Sequence, residues 1–290
     1  MINFDIYPLD IESLCEDSLL LRRFMGFNER SIEALSGPYL WFSPIKAFND
    51  PFEAECEYVF TPDPERVIEA YVYSYSSGYP IDTAVECVRE DYLADKAKFM
   101  REMESTFRSV YLQAEQDLAF YYCCLFSERT GSKTTPEQLA LMWSHYGDGL
   151  RGIRITYNPK ILLASLNEQR DIRALFMSYM EKPPVIDLIE GFAHVTGIKG
   201  PRFTADLFRE NPRVKSSVWE YEKEFRIVSM QPGAIGFDPA AIVSVDIGER
   251  MTGPQKRVIQ LLMKQLNPDA AVNIARVRPG TFHVDYEPIQ

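Results

Sequence analysis

Long apolar runs are missing from this sequence, and so are the residue clusters from which many recognisable sites are built. No stretch of about 18 consecutive apolar residues occurs, so no membrane-spanning helix is expected. Histidine is confined to His145, His194 and His283, too few and too scattered for a histidine-rich metal centre. The five cysteines (Cys15, Cys56, Cys87, Cys123 and Cys124) are irregularly spaced and contain no Cys-x-x-Cys pair. Neither a zinc knuckle nor a dithiol redox motif is read from them, no metal is expected, and reduced thiols in a cytoplasmic protein are the simplest reading. Positive charge is also scarce: 31 Lys and Arg face 42 Asp and Glu, a net charge of −11. A surface that tracks nucleic-acid phosphates nonspecifically is therefore not expected, although a local basic pocket is compatible with the composition. The opening residues, Met1 to Asp5, lack the basic-then-apolar form of a secretory signal. Internal repeats and low-complexity segments are absent.

What remains is a chain of 290 residues, 46% hydrophobic and 13% aromatic, which specifies a globular core. Leu20–Phe24 reads as a strand, Asn28–Leu35 as a short helix capped by Asn28, and Tyr39–Ser43 as an aromatic-rich strand. The segment Pro44–Glu53 must turn, given its prolines and its Asn49-Asp50 pair. Helical spacing with charged outer faces runs from Glu65 to Ala119. Tyr121–Phe126 returns to strand character. Pro136 opens a helix bearing Leu139, Met142, Trp143 and Tyr146 on roughly one face, closed by a sharp turn at Gly147–Gly152. Strands are expected at Ile153–Tyr157, Ala241–Ile247, Ala271–Val277 and Phe282–Tyr286, with a helix at Gly253–Leu266. Residues 160–182 and 185–210 read as mostly helical. Strands mixed irregularly with helices predict an α+β fold: a mostly antiparallel sheet in a single domain, with helical insertions at about 63–120 and 160–213.

The most informative stretch is Trp219-Glu220-Tyr221-Glu222-Lys223-Glu224-Phe225-Arg226-Ile227-Val228. Read as one strand, it places Tyr221, Phe225 and Ile227 on one face and Glu222, Glu224 and Arg226 on the other. Two carboxylates crowded on a half-buried face require positive charge opposite them, from Arg226 and other basic groups or from a ligand. An internal ion network and a binding site are both consistent with this pattern. His145 stands between Trp143 and Tyr146. It suits a general base, a phosphate ligand or a structural histidine. Asp148 and Arg151, in the turn that follows, suit a helix cap or a ligand contact equally.

Three segments together resemble a known family. They are Leu40-Trp41-Phe42-Ser43-Pro44 with Phe48-Asn49-Asp50-Pro51-Phe52-Glu53; Met142-Trp143-Ser144-His145-Tyr146-Gly147 with Gly152-Ile153; and Trp219-x-Tyr221-Glu222-x-Glu224-Phe225-Arg226. In this order they resemble the bacterial domain-of-unknown-function family numbered 2971, over about Leu20 to Gly248. More remotely, a basic residue on an early strand (Arg23 or Arg22), an aromatic-Ser strand end (Phe42-Ser43) after a short helix, and Glu222-x-Glu224 late in the chain resemble the ADP-ribosyltransferases. That resemblance implies a split β core and an enzyme that consumes NAD as its substrate, with a small-molecule nucleotide partner and a protein or nucleic-acid acceptor. It also implies a toxin or phage-defence setting. Glu224 would bind the ribose and stabilise its developing cation, and Glu222 would orient or deprotonate the acceptor. Arg23 or Arg22 would hold the pyrophosphate, while Ser43, next to Phe42, would brace the nicotinamide pocket. His145 as a catalytic group, with Tyr146 and Arg226 as binding groups, completes the candidate set.

Two other functions are kept beside this one. A magnesium-dependent nuclease would use Asp50, Glu53, Glu222 and Glu224. A noncatalytic binding or regulatory protein would hold Glu222, Glu224 and Arg226 as a structural network, with a partner protein as its target.

Overall fold

The computed structural model describes residues 10–15, 18–75, 80–117, 120–128, 135–170, 172–198 and 214–289. The chain forms two compact units, one of residues 8–49, 120–179 and 217–290, the other of residues 1–7, 50–119 and 180–216.

The first unit is built on a ten-stranded sheet. Its strands are β1 (Leu20–Met25), β2 (Tyr39–Pro44), β3 (Tyr121–Glu128), β4 (Ile153–Tyr157), β5 (Ile172–Phe176), β6 (Glu224–Ser229), β7 (Gly233–Gly236), β8 (Ile242–Gly248), β9 (Ala271–Val277) and β10 (Val284–Pro288). The order β7-β2-β3-β1-β4-β8-β9-β10 forms the main path, and β6 lies between β3 and β5. Among the described residues of this sheet only β8 and β9 pair in parallel, joined by the helix Gly253–Leu266; the other pairings are antiparallel. The expected α+β class with a mostly antiparallel sheet is what the chain adopts.

The sheet is divided at β3. Strand β6 occupies one edge of β3 from Tyr121 to Phe126. On the opposite edge, β2 pairs at Tyr121 and Tyr122, whereas β1 pairs at Phe126 to Glu128. Two wings therefore leave the same edge of one strand at different heights.

One face of the sheet carries the larger core. Leu21, Leu40, Phe42, Leu125, Ile155, Phe225, Ile227 and Val245 pack there with Leu35, Leu162, Leu166, Ile259 and Met263 from three helices. The alternation of apolar residues along these strands is what assigns them to this face. The helix Pro159–Gln169 belongs here, capped by Asn158 and starting with proline. The expected helix over 160–182 is shorter than the sequence suggested, because Ile172–Phe176 is strand β5. A short apolar run of this kind has no decisive period, and pairing along β6 decides its conformation.

The second unit holds the helices Pro64–Tyr75, Ile81–Ala94, Lys96–Asp117 and Leu188–Val195. Phe107 and Phe192 stack at its centre, with ring centroids 4.0 Å apart. Gly191 lets the last helix approach Tyr111: a Cβ there would lie 2.5 Å from the ring. Residues 185–187 form a short strand parallel to Glu57–Val59, correcting the helix expected from 185. The remainder of that expected helix, from 199 to 210, lies outside the described residues. Among the described residues no helix is long and apolar enough to cross a membrane.

Candidate functional site

Strand β6 begins at Glu224, not at Trp219. Ser217–Glu222 form a 3-10 helix, and Lys223 takes a left-handed φ of 41°. The run expected as one strand is thus a helical turn, a reversal and a strand. The reversal is fixed from β3, where the Ser127 amide and hydroxyl both donate to the Lys223 carbonyl, at 2.9 and 2.7 Å. As a consequence Tyr221 does not join Phe225 and Ile227 in the larger core. It packs instead with the cluster of Phe24, Phe126 and Trp143 on the opposite face.

That opposite face collects several of the candidate residues. Directly paired residues on neighbouring strands project to the same side. Glu224 pairs with Phe126, which pairs with Arg22; Arg226 pairs with Cys124; Ser43 pairs with Tyr122. Because Tyr122, Cys124 and Phe126 alternate along β3, all of these groups share one face. Arg23 pairs with Ile155 and lies on the other side, where its charge acts on Cys123 and Tyr157. Phe42 is packed into the larger core on that side too. Of the two alternatives for the early basic residue, Arg22 is the one on the face of Glu224.

The acidic pair is buried. Glu224 is 4% exposed and Arg226 fully covered. Arg226 Nε donates to Glu224 Oε1 at 2.5 Å, and its Nη2 lies 3.4 Å from Oε2. The guanidinium lies beside the edge-to-face pair of Phe48 and Tyr122, whose ring centroids are 5.4 and 5.7 Å away. Glu222 is also buried and accepts a hydrogen bond from the Tyr146 hydroxyl. Burial, then the bond to Glu222 and its charge, push the Tyr146 phenol far up, with the Asn49 side chain opposing. Tyr146 is therefore a hydrogen-bond donor at neutral pH. His145 is exposed and meets the Tyr221 hydroxyl through Nδ1 at 2.9 Å. Arg22 Nη1 donates to Glu128 at 2.5 Å, while its buried Nε has no hydrogen-bond partner among the described residues.

The helix Pro136–His145 presents His145 and Tyr146. Thr135 and Gln138 close a reciprocal cap at its start. Trp143 anchors its end, with its ring edge-on to Phe24 at 5.3 Å and its Nε1 donating to the Tyr286 hydroxyl at 3.1 Å. The Tyr286 ring lies 3.7 Å from the Arg154 guanidinium, which bonds Asp246 at 2.7 Å; Asn273 completes the Asp246 carboxylate. This second buried ion pair was missed from the sequence. The signal was present in Asp246, a lone acid in a largely apolar strand.

Burial pushes the Cys124 thiol well up, reinforced by the Glu224 charge, with Arg226 opposing. Burial likewise raises Cys123, and moves Cys15 up to about 11. Thiolate is the reactive form. With iodoacetamide at pH 8, mass spectrometry is expected to find the exposed Cys87 modified first. Cys15 and Cys123, both buried, should react only once denaturant opens the sheet.

Asp50 and Glu53 belong to the helical unit. Asp50 Oδ1 accepts the Phe52 amide at 2.9 Å, and the buried Glu53 lies 3.8 Å from Lys215. Glu222 and Glu224 belong to the sheet unit. No group of three or more His, Cys, Asp or Glu side chains is placed to hold a metal among the described residues.

Residues 142–227 match the model of a family described as a protein of unknown function (DUF2971). The matched stretch is narrower than the resemblance read from Leu20 to Gly248. It nevertheless contains both sides of the polar cluster, from Trp143, His145 and Tyr146 to Glu222, Glu224 and Arg226. No curated protein and no solved structure matches the chain.

Proposed function

We propose that the Glu224 face binds a nucleotide and that the protein is an NAD-consuming enzyme of the ADP-ribosyltransferase type, acting on a protein or nucleic-acid acceptor. The observation that supports this reading is that Arg22, Ser43 and Glu224, from three separate segments, project to one face of a divided sheet. Breaking the nicotinamide–ribose bond leaves positive charge on the ribose, and a fixed carboxylate stabilises that charge most in the transition state. In this reading Arg226 orients Glu224, Tyr146 orients Glu222, and the spare Arg22 Nε takes a phosphate oxygen. A role as a toxin or phage-defence effector belongs to the same reading.

The test is to incubate purified protein with NAD and measure free nicotinamide by chromatography. Release is expected, falling by about 10²- to 10³-fold in Glu224→Gln. NAD that stays intact through long incubation with protein and nucleic-acid acceptors would overturn the proposal.

One observation favours a second, noncatalytic reading: the full burial of Arg226 and its tight pairing with Glu224. A structural network of this kind makes Glu224→Gln a stability variant, with a lowered melting temperature that no nucleotide shifts. A nucleotide that binds the native state would instead raise the wild-type melting temperature.

A further inference from the structure

The turn after the Trp143 helix is more constrained than a connection requires. Asp148, Gly149 and Leu150 take successive left-handed φ values of 48°, 56° and 65°. For Asp148 and Leu150 this conformation is disfavoured by about 1–2 kcal/mol each. It is held from both sides: the Gly149 amide donates to the Trp143 carbonyl at 2.9 Å, and the Arg250 amide to the Leu150 carbonyl at 3.0 Å. Two glycines make this closeness feasible. A Cβ on Gly152 would lie 2.0 Å from the Met25 carbonyl oxygen, and one on Gly248 would lie 2.2 Å from that of Leu150.

The turn gathers two arginines. Arg151 Nη1 donates to the Asp148 carbonyl at 3.1 Å, and Arg250 Nη1 to the Gly149 carbonyl at 3.3 Å. Both nitrogens converge on Gly149, lying 3.5 and 3.7 Å from where its Cβ would stand. Both side chains are exposed. Arg151 is 3.5 Å from the Asp148 carboxylate, whereas Arg250 makes no ion pair among the described residues. In a protein with a net charge of −11, two guanidinium nitrogens thus lie within 4 Å of where a side chain on Gly149 would begin. Each spends one nitrogen on the backbone and keeps further N–H donors for a ligand.

We propose that Arg151 and Arg250, over Gly149, form a binding site for a phosphate group. Paired guanidinium forks match phosphate oxygens, and a rigid turn fixes their spacing before the ligand arrives. Asp148 is the internal competitor, occupying part of Arg151. The site stands independently of the carboxylate cluster and of the transfer reaction.

Isothermal titration with inorganic phosphate and, separately, with ADP tests the proposal and separates free phosphate from a nucleotide as the source. Saturable binding of at least one probe is expected, weakening as salt rises. Arg250→Gln and Arg151→Gln should each lower affinity by about tenfold, the loss of one charge-assisted hydrogen bond. Asp148→Asn should raise it. Circular dichroism should show all three variants folded, since the replaced side chains are exposed. Absence of binding by both probes, or equal affinity in the Arg151→Gln/Arg250→Gln double variant, would overturn the assignment.

Discussion

Arg226→Met is expected to lower the unfolding free energy by about 3–5 kcal/mol, the range for removing one member of a buried ion pair. The guanidinium is fully covered, and its partner Glu224 has almost no access to solvent. Methionine would fill much of the space that the guanidinium leaves beside Phe48 and Tyr122. It could not replace the donors that Glu224 now accepts, so a carboxylate would be left desolvated. Glu224→Gln should cost a similar amount: the amide oxygen can still accept from Arg226 Nε, but the fully covered guanidinium loses its countercharge. The decisive variant is the double one: Glu224→Gln/Arg226→Met removes both charges and should recover part of the loss. Urea denaturation followed by tyrosine and tryptophan fluorescence measures all three. If Arg226→Met unfolds at the wild-type midpoint, the pair does not act as the buried bridge described.

Gly152→Ala should cost about 3 kcal/mol, at the upper end of overpacking effects. The added methyl would meet backbone: the Met25 carbonyl oxygen at 2.0 Å and the Gly26 Cα at 2.9 Å. No side-chain rotation can relieve such a contact, so either β1 or the turn must move. Gly37→Ala supplies the control. Its φ is −138°, and a Cβ there meets nothing within 4 Å. That change should stay within about 0.5 kcal/mol of wild type. A comparison of the two urea midpoints checks the pair.

How legible the molecule was in its sequence varied with the kind of information involved. Period-2 patterns and aromatic content pointed to Tyr39–Ser43, Tyr121–Phe126 and Ile153–Tyr157, and each forms a strand. Pro136 marked a helix start, which the structure shows capped by Thr135 and Gln138. Ile172–Phe176 was misread because its conformation depends on β6, about fifty residues away in sequence. Within the candidate site, residue types were readable but directions were not. Glu222-x-Glu224 was noticed, yet the left-handed Lys223 between the two depends on Ser127, a residue with no visible motif. Arg22 and Arg23 are equivalent in composition, and only strand register assigns them to opposite faces. Partners such as Asn49, Tyr122 and Phe48 enter through long-range packing, which no local pattern announces.

The division of the sheet at β3 bears on how the family-matched stretch can exist. Residues 142–227 supply β4, β5 and β6. β5 and β6 are neighbours, but β4 joins them only through β1 and β3, which lie earlier in the chain. Cut out at its matched limits, the stretch would keep β5 against the first part of β6, across a long connection, and would leave β4 without its sheet neighbours β1 and β8. The unit that sequence comparison marks out is therefore not a unit of cooperative folding.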